Sequence, residues 1–373
     1  MISLIGIGII AFLLLILEQK MYQKHWMKNL YVSISFQKNV LFEGEEGLLQ
    51  EIVENRKKLP LSMLKVKFQT DRNLLFEDTV GSRTTDQYYR NDVFQIGGGE
   101  KITRTLTFTG SKRGFYSIRS VDIVGSDLFL ISQMVEKLRV NTSLYVYPKP
   151  FDSDEFRRSL KQLNGEVLTR RHLLEDPFEY RGIREYQPFD DMRSINWKAT
   201  AKTDDLKVNQ KNYTSLQSVR IFLNLEDNGV LKNEECVEAS IRIAASLARH
   251  FLSEGIQVAC YSNTTDAIHN TLLSLEASAG TGQMTAIYRG LSCIDTGKVT
   301  SFTDTYKEKL MQEAKGTITC FVTPHLYEDF TTLLREYQGA GNEYICFYPV
   351  KEKDDPEIPV DLQKSIQILH IEA

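Results

Sequence analysis

The chain has 373 residues, 42% of them hydrophobic and 25% charged, an ordinary composition for a folded protein with room for two domains. A formal net charge of -4 argues against nucleic-acid binding driven mainly by charge. The five cysteines, Cys236, Cys260, Cys293, Cys320 and Cys346, form no Cys-x-x-Cys pair and sit mostly in apolar runs. They read as small buried hydrophobes in a reducing compartment, not as a disulfide framework or a metal site.

From Ile2 to Leu17 the sequence is almost unbroken apolar. A helix of that length spans about 24 Å, slightly short of a bilayer core. A cleaved signal peptide would need a basic leading segment and a small-residue cleavage site, and neither is present. Lys20, Lys24, His25 and Lys28 follow the run. By the positive-inside rule they place the bulk of the protein in the cytoplasm. The expectation is a single-pass anchor over 1–18 in the cell membrane and a juxtamembrane segment over 19–29.

Residues 30–148 read as an antiparallel β-sandwich. Leu30, Val32, Ile34 and Phe36 alternate with polar positions, as do Leu64, Val66 and Phe68. Further period-two runs lie at 106–108, 121–123 and 144–146, separated by turn chemistry at 43–45, 55–60, 97–99 and 112–114. Residues 149–215 read as a connector, with a charged stretch over 152–171 that is mobile or partly helical.

From residue 216 to 373 strands alternate with helices. Val219–Leu223 is a buried strand, and Val237, Ile241, Ala244, Ala248 and Phe251 line one face of a helix that Gly255 ends. Strands over 256–261, 318–323, 344–348 and 366–371, with helices between, predict an α/β domain with a mostly parallel sheet. Ligands of such sheets bind at the C-terminal ends of the strands. The turn after Leu223 is therefore the first place to look for chemistry. Asn224, Glu226 and Asn228 put oxygen side chains at alternating positions there, as a site for a hard divalent cation would. An amide replaces the first carboxylate, however, and 323–325 supplies no acid, so the competing reading is a capped turn into a helix. Gly280 and Gly282 lack the spacing and the Gly-Lys-Ser/Thr ending of a phosphate loop. No histidine pairs with a nucleophile motif.

The densest stretch is 178–198, FEYRGIREYQPFDDMRSINWK. Arginines, paired acids and aromatics crowd together without a helical or strand period. This predicts an ordered, buried seam between domains. Arg184 and Arg193 would pair with Asp190, Asp191 or Glu185, with Trp197 packed beneath. A buried Trp197 would make truncation to alanine cost about 3 kcal/mol or more.

Arg181, Arg184, Tyr186, Asp190, Asp191, Arg193, Ile195, Trp197, Lys198, Thr200 and Ala201 match the signature of the family called domain of unknown function 58. The chain resembles that family elsewhere too, at 42–45, 55–60, 113–116 and 147–148, so the likeness covers almost everything after the anchor. Phe189 departs from a usual glycine and Lys202 from a usual arginine. The resemblance implies a membrane-anchored protein with a von Willebrand factor A-like domain that works with a MoxR-type AAA+ ATPase in assembling or activating other proteins. The signature residues would then be interaction residues, the client is open, and any nucleotide hydrolysis belongs to the partner. On this reading the chain is bacterial, is not an enzyme, and has no cofactor. The alternative is a divalent-metal-binding protein or metal-dependent hydrolase using the Asn224–Asn228 turn. A third reading is a structural envelope component.

Overall fold

The computed structural model describes residues 2–173, 180–187, 192–203, 205–211, 218–227, 229, 233–312, 317–352, 354 and 356–371. The chain divides into two compact units, Met1–Lys149 and Pro150–Ala373.

The first unit opens with helix α1, Ile2–His25. Gly6–His25 of this helix is long and apolar enough to cross a membrane by length and composition, with a mean hydropathy of 1.3. The helix runs past the expected anchor and through most of the expected juxtamembrane segment. Its last turns join the domain core. Tyr22 and Trp26 are buried among apolar residues of the strands that follow. The Tyr22 hydroxyl donates to the Pro60 carbonyl at 3.0 Å, and Lys57 Nζ donates to the Trp26 carbonyl at 2.6 Å. Gly125 lies under the indole, where an added Cβ would come within 2.5 Å of the ring.

Ten strands follow: β1 (Leu30–Phe36), β2 (Val40–Phe42), β3 (Glu46–Asn55), β4 (Leu61–Asp71), β5 (Leu74–Phe76), β6 (Ser82–Thr84), β7 (Gln87–Ile96), β8 (Lys101–Gly110), β9 (Gly114–Ser126) and β10 (Gln133–Tyr147). One sheet is ordered β1-β3-β8-β5 and is antiparallel throughout; the other is ordered β2-β10-β9-β4-β7-β6 and is antiparallel except for β2–β10. Both sheets contribute alternate side chains to one apolar core, among them Ile34, Leu49, Val53, Leu106 and Phe108 from the first and Val66, Phe68, Phe94, Ile123 and Val146 from the second.

That core holds charge. Inward positions of β7 carry Arg90 and Asp92, and β3 contributes Glu51, all three buried. Arg90 Nε donates to Asp92 Oδ2 at 2.5 Å. Its Nη1 donates to the Asp78 carbonyl and the Tyr88 hydroxyl, and its Nη2 to Asp78 Oδ2. Arg104, opposite Glu51 on β8, donates to Asp92 Oδ1 at 2.5 Å and lies over the Phe94 ring. Neither Glu51 oxygen receives a donor, and the carboxyl faces Asp92.

The second unit starts with α2, Asp154–Leu173. The charged stretch expected as a mobile or partly helical connector is thus a helix of 20 residues. Ser153 caps it by accepting from Phe156 N, and Phe156 and Leu163 are buried. Then come β11 (Tyr180–Glu185), a 3-10 turn (Met192–Ser194), α3 (Trp197–Thr203) and β12 (Lys207–Lys211). The α/β part comprises β13 (Ser218–Leu223), α4 (Glu234–Ser253), β14 (Gln257–Asp266), β15 (Leu272–Ser278), α5 (Gly280–Cys293), β16 (Ile294–Val299), α6 (Phe302–Met311), β17 (Thr317–Val322), α7 (Glu328–Gly339), β18 (Tyr344–Lys351) and β19 (Ile366–Ile371). Its sheet is mixed, ordered β15-β14-β13-β17-β18-β19 with β16 against β14. The pairs from β14 through β19 are parallel, whereas β15 and β16 run antiparallel to β14. Gly255 follows α4 with φ of +74°, and Ile256 N bonds the Phe251 carbonyl, closing the helix as its glycine predicts. All five cysteines are free and buried in this unit.

Candidate functional site

Two places answer to the expected chemistry. The first is the turn at the C-terminal end of β13. Asn224 continues the strand, donating its N–H to the Val322 carbonyl, and is buried. Its Oδ1 already accepts from Glu226 N at 3.0 Å and from Asn263 Nδ2 at 3.1 Å. Asn263 in turn accepts from Leu225 N and donates to the Thr300 carbonyl. Glu226 accepts from Phe302 N at the start of α6. Burial raises the Glu226 pKa, and Asp329 and Asp304 add to it while the Phe302 N–H opposes. Asp227 accepts from Gly229 N and Asn233 N and lies 3.4 Å from His325 Nε2. Burial works against it, but the two N–H groups and His325 hold its pKa below the usual carboxylate value.

A hard-cation site needs several free oxygen ligands converging on one point. The Asn224 oxygen is spent on two N–H donors, its Nδ2 is a buried donor without a partner, and Asn228 lies outside the described residues. Among the described residues no group of three His, Cys, Asp or Glu side chains could hold a metal ion. The turn is knit by its own hydrogen bonds. Sequence reasoning missed Asn263 and Thr300, because they reach the turn only through β14 and the start of α6.

The second place is the 178–202 stretch, whose strand β11 pairs with β12 just beyond it in a small two-stranded sheet. β11 and β12 pair antiparallel, with Ile183 opposite Asn209, Arg184 opposite Val208 and Glu185 opposite Lys207. Asn196 caps α3 by accepting from Ala199 N, and its Nδ2 donates to Asn209 Oδ1 at 2.7 Å. Lys207 N donates to Thr200 Oγ1, tying α3 to β12. Ile195 bridges Val208, and these two side chains are buried.

Here the structure corrects the sequence. Trp197 is not packed beneath a seam; it is 66% exposed. The reason is local size. A two-stranded ribbon and a two-turn helix enclose little volume, and Ile195 and Val208 are the hydrophobic side chains buried there among the described residues. Trp197, as the first residue of α3, falls outside. Ile183, Met192 and Leu206 are exposed as well. Arg193 and Lys198 are exposed, and Arg184 and Tyr186 are half-buried. The Glu185 carboxylate pairs with Lys207 at 3.2 Å, and Arg184 Nη1 donates to the Glu185 carbonyl. Asp190 and Asp191 lie outside the described residues, as does the side chain of Arg181. With its ring in solvent, Trp197→Ala is expected to change unfolding free energy by no more than about 0.5 kcal/mol, measured by chemical denaturation. A loss of several kcal/mol would restore the buried seam.

The second unit is thus a mixed α/β domain that also carries a two-stranded ribbon with α3 between its strands. Residues 182–361 match the family model described as protein of unknown function DUF58. The match begins inside β11 and ends beyond β18, and it supports the resemblance drawn from the signature residues. No curated protein matches the chain. Among solved structures it is similar to the sixth cohesin of Acetivibrio cellulolyticus scaffoldin B, at 13% identity over 32% of this chain and 99% of that one, with a TM-score of 0.24. It is also similar to a non-cellulosomal cohesin of the archaeon Archaeoglobus fulgidus, at 14% identity over 34% and 96%, with a TM-score of 0.21. The collagen-binding subdomain of the Enterococcus faecalis surface protein ACE matches at 11% identity over 31% and 96%, with a TM-score of 0.22. Likenesses this low carry no argument about function.

Proposed function

We propose that this protein is a membrane-anchored adaptor with no catalytic step of its own, working with a MoxR-type AAA+ ATPase to assemble or activate client proteins. α1 is its single membrane span, and Lys20, Lys24 and Lys28 keep both units on the cytoplasmic side. The burial of Tyr22 and Trp26 in the first unit's core favours a retained helix over a cleaved leader, since cleavage before the strands would strip the core of two rings. The two sheets of the first unit form a sandwich that follows the anchor in the chain. The mixed sheet and its helices form a von Willebrand factor A-like domain.

The observation that carries the reading is the exposure of described residues in the signature stretch. A stretch that served only packing would bury its largest ring. This one presents Trp197, Ile183 and Met192 to solvent, with Arg193 and Lys198 exposed within a few residues of Trp197 in the sequence. Exposed aromatics next to arginine are the ingredients of an interface hot spot. The test is a crosslinking pull-down from native membranes with the full chain, read by mass spectrometry. We expect the wild type to recover a AAA+ ATPase and Trp197→Ala to lose it without unfolding. Unchanged recovery would move the interface elsewhere. No ATPase, under conditions that preserve other membrane complexes, would sink the adaptor reading.

The competing reading, a divalent-metal protein or metal-dependent hydrolase, rests on Glu226, whose carboxyl feels Asp304 and Asp329. We expect calorimetric titration with magnesium, manganese and calcium to give no binding heat from this turn. Micromolar binding abolished by Glu226→Ala would bring the metal back.

A further inference from the structure

The β9–β10 hairpin closes through Asp127–Ser132, and its tip reads Leu128-Phe129-Leu130-Ile131. These four side chains are 46, 56, 53 and 60% exposed. Four consecutive large hydrophobes in water are costly and, on a soluble surface, mark a contact site. The turn beneath them is built to hold them out. The buried Asp127 carboxylate accepts from Ile131 N at 2.7 Å and Ser132 N at 3.0 Å, and the Asp127 carbonyl accepts from Leu130 N at 3.2 Å. Leu130 sits at φ of +61°, a conformation that a leucine adopts only when its surroundings impose it.

The position of the tip says what covers it. Leu128 N donates to Glu18 Oε1 at 2.8 Å. Glu18 is the first charged residue after the apolar run of α1, so the tip is pinned where the apolar part of the helix ends. Behind the tip, the solvent face of the six-stranded sheet continues the pattern in rows. The nearer row is Val93, Lys65, Val124 and Val135, in which Val93 and Val135 are more than half exposed and Val124 is buried between them. The next is Asn91, Lys67, Asp122 and Lys137. Rows two residues apart along a strand are separated by about 7 Å. Apolar tip, valine row and lysines thus follow in the order of acyl boundary, interface and headgroup, with lysine stems long enough to reach phosphates.

We propose that Leu128–Ile131 is a second, non-spanning membrane contact, inserted into the acyl boundary of a phospholipid bilayer beside α1. The tip adds apolar surface at the level where the apolar run of α1 falls short of the bilayer core. This inference rests on reading α1 as a membrane span. The test uses the full chain carrying Phe129→Cys. Because the five native cysteines are buried, an environment-sensitive fluorophore attaches to the new thiol. The protein is reconstituted into phosphatidylcholine–phosphatidylglycerol vesicles containing lipids with a nitroxide near the headgroup or deep in the chain. Leu13→Cys on α1 and Val80→Cys on the solvent-facing β5–β6 segment serve as controls. The expected result is a blue shift at position 129 with loss of most emission to the shallow nitroxide, quenching at position 13 by the deep one, and neither effect at position 80. Quenching at 13 with water-like emission at 129 would overturn the proposal and leave the anchor standing. A blue shift at 129 without quenching would give the tip to a protein neighbour and overturn it too. If position 13 itself escapes both nitroxides, the anchor reading falls and takes this proposal with it.

Discussion

Replacing Asp92 with alanine is expected to lower the unfolding free energy of the first unit by about 3–5 kcal/mol, the usual result of removing one partner from a buried charge pair. The Arg90 side chain is fully buried and the Asp92 side chain is 2% exposed, so neither charge has water to fall back on. Asp92 takes one N–H from Arg90 and one from Arg104, both at 2.5 Å, and bridges the two cations. Asp78 remains on Arg90 but is 48% exposed and compensates less. The measurement is urea unfolding of the full chain in detergent, followed by tryptophan fluorescence. Trp26 is buried in this unit and Trp197 is exposed in the other, so Trp197→Phe leaves a probe of this core alone. A cost under about 1 kcal/mol would mean that the cluster contributes far less than a buried pair should.

The neighbouring acid sets the second expectation. Burial, and after it the Asp92 charge, push the Glu51 carboxyl from its ordinary 4.5 up to about 8, against the pull of Arg104 and Arg90. Charge balance adds to burial: two guanidinium groups already face the carboxylates of Asp92 and Asp78, and an ionised Glu51 would be a surplus anion. The unfolded chain gives up this proton near pH 4.5, the folded one only near 8. Between those values the unfolded state binds fewer protons, so stability falls as pH rises. It is full below the unfolded value and the loss is complete above the folded one, on the order of 3–5 kcal/mol in all. Above that window Lys57 acts oppositely. Burial lowers its pKa to about 8, so its contribution grows as pH rises from 8 towards the ordinary lysine value. Glu51→Gln should flatten the curve between pH 5 and 8 and raise stability at pH 8, read from urea midpoints across that range. A variant with the wild-type slope would show that Glu51 is not the group responsible. The two predictions are coupled, because without Asp92 an ionised Glu51 becomes the natural counterion. Asp92→Ala with Glu51→Gln should therefore cost more than the two single changes together.

Much of this was legible in the sequence, and the gaps have physical causes. Val32–Phe36 and Leu64–Phe68 alternate cleanly, so their strands and inward faces could be read directly. β7 escaped because two of its inward positions are Arg90 and Asp92. Its period of two is intact in burial and broken in hydrophobicity. α4 and its closing Gly255 were readable, since an amphipathic face and a glycine stop are local signals. β15 and β16 were not, because they are held by pairing to β14 and not by a pattern of their own. Trp197 was misjudged for the opposite reason: composition announces that a ring could be buried, and only the enclosed volume decides whether it is. At the β13 turn the sequence supplied the right oxygens, but which lone pairs were already taken depended on Asn263, thirty-nine residues away.

The junction between α1 and the first unit has a mechanical consequence. Only four residues separate His25 from Leu30, and they are occupied by Trp26 in the core and by hydrogen bonds from Lys28 to His25 and from Leu30 to Met27. The helix is therefore a stiff post and not a leash. If α1 spans a bilayer, the tilt of the post fixes the angle at which the β-sheets stand over the membrane. A sideways load on those sheets would then arrive in the lipid as torque on the helix, with no swivel between to dissipate it.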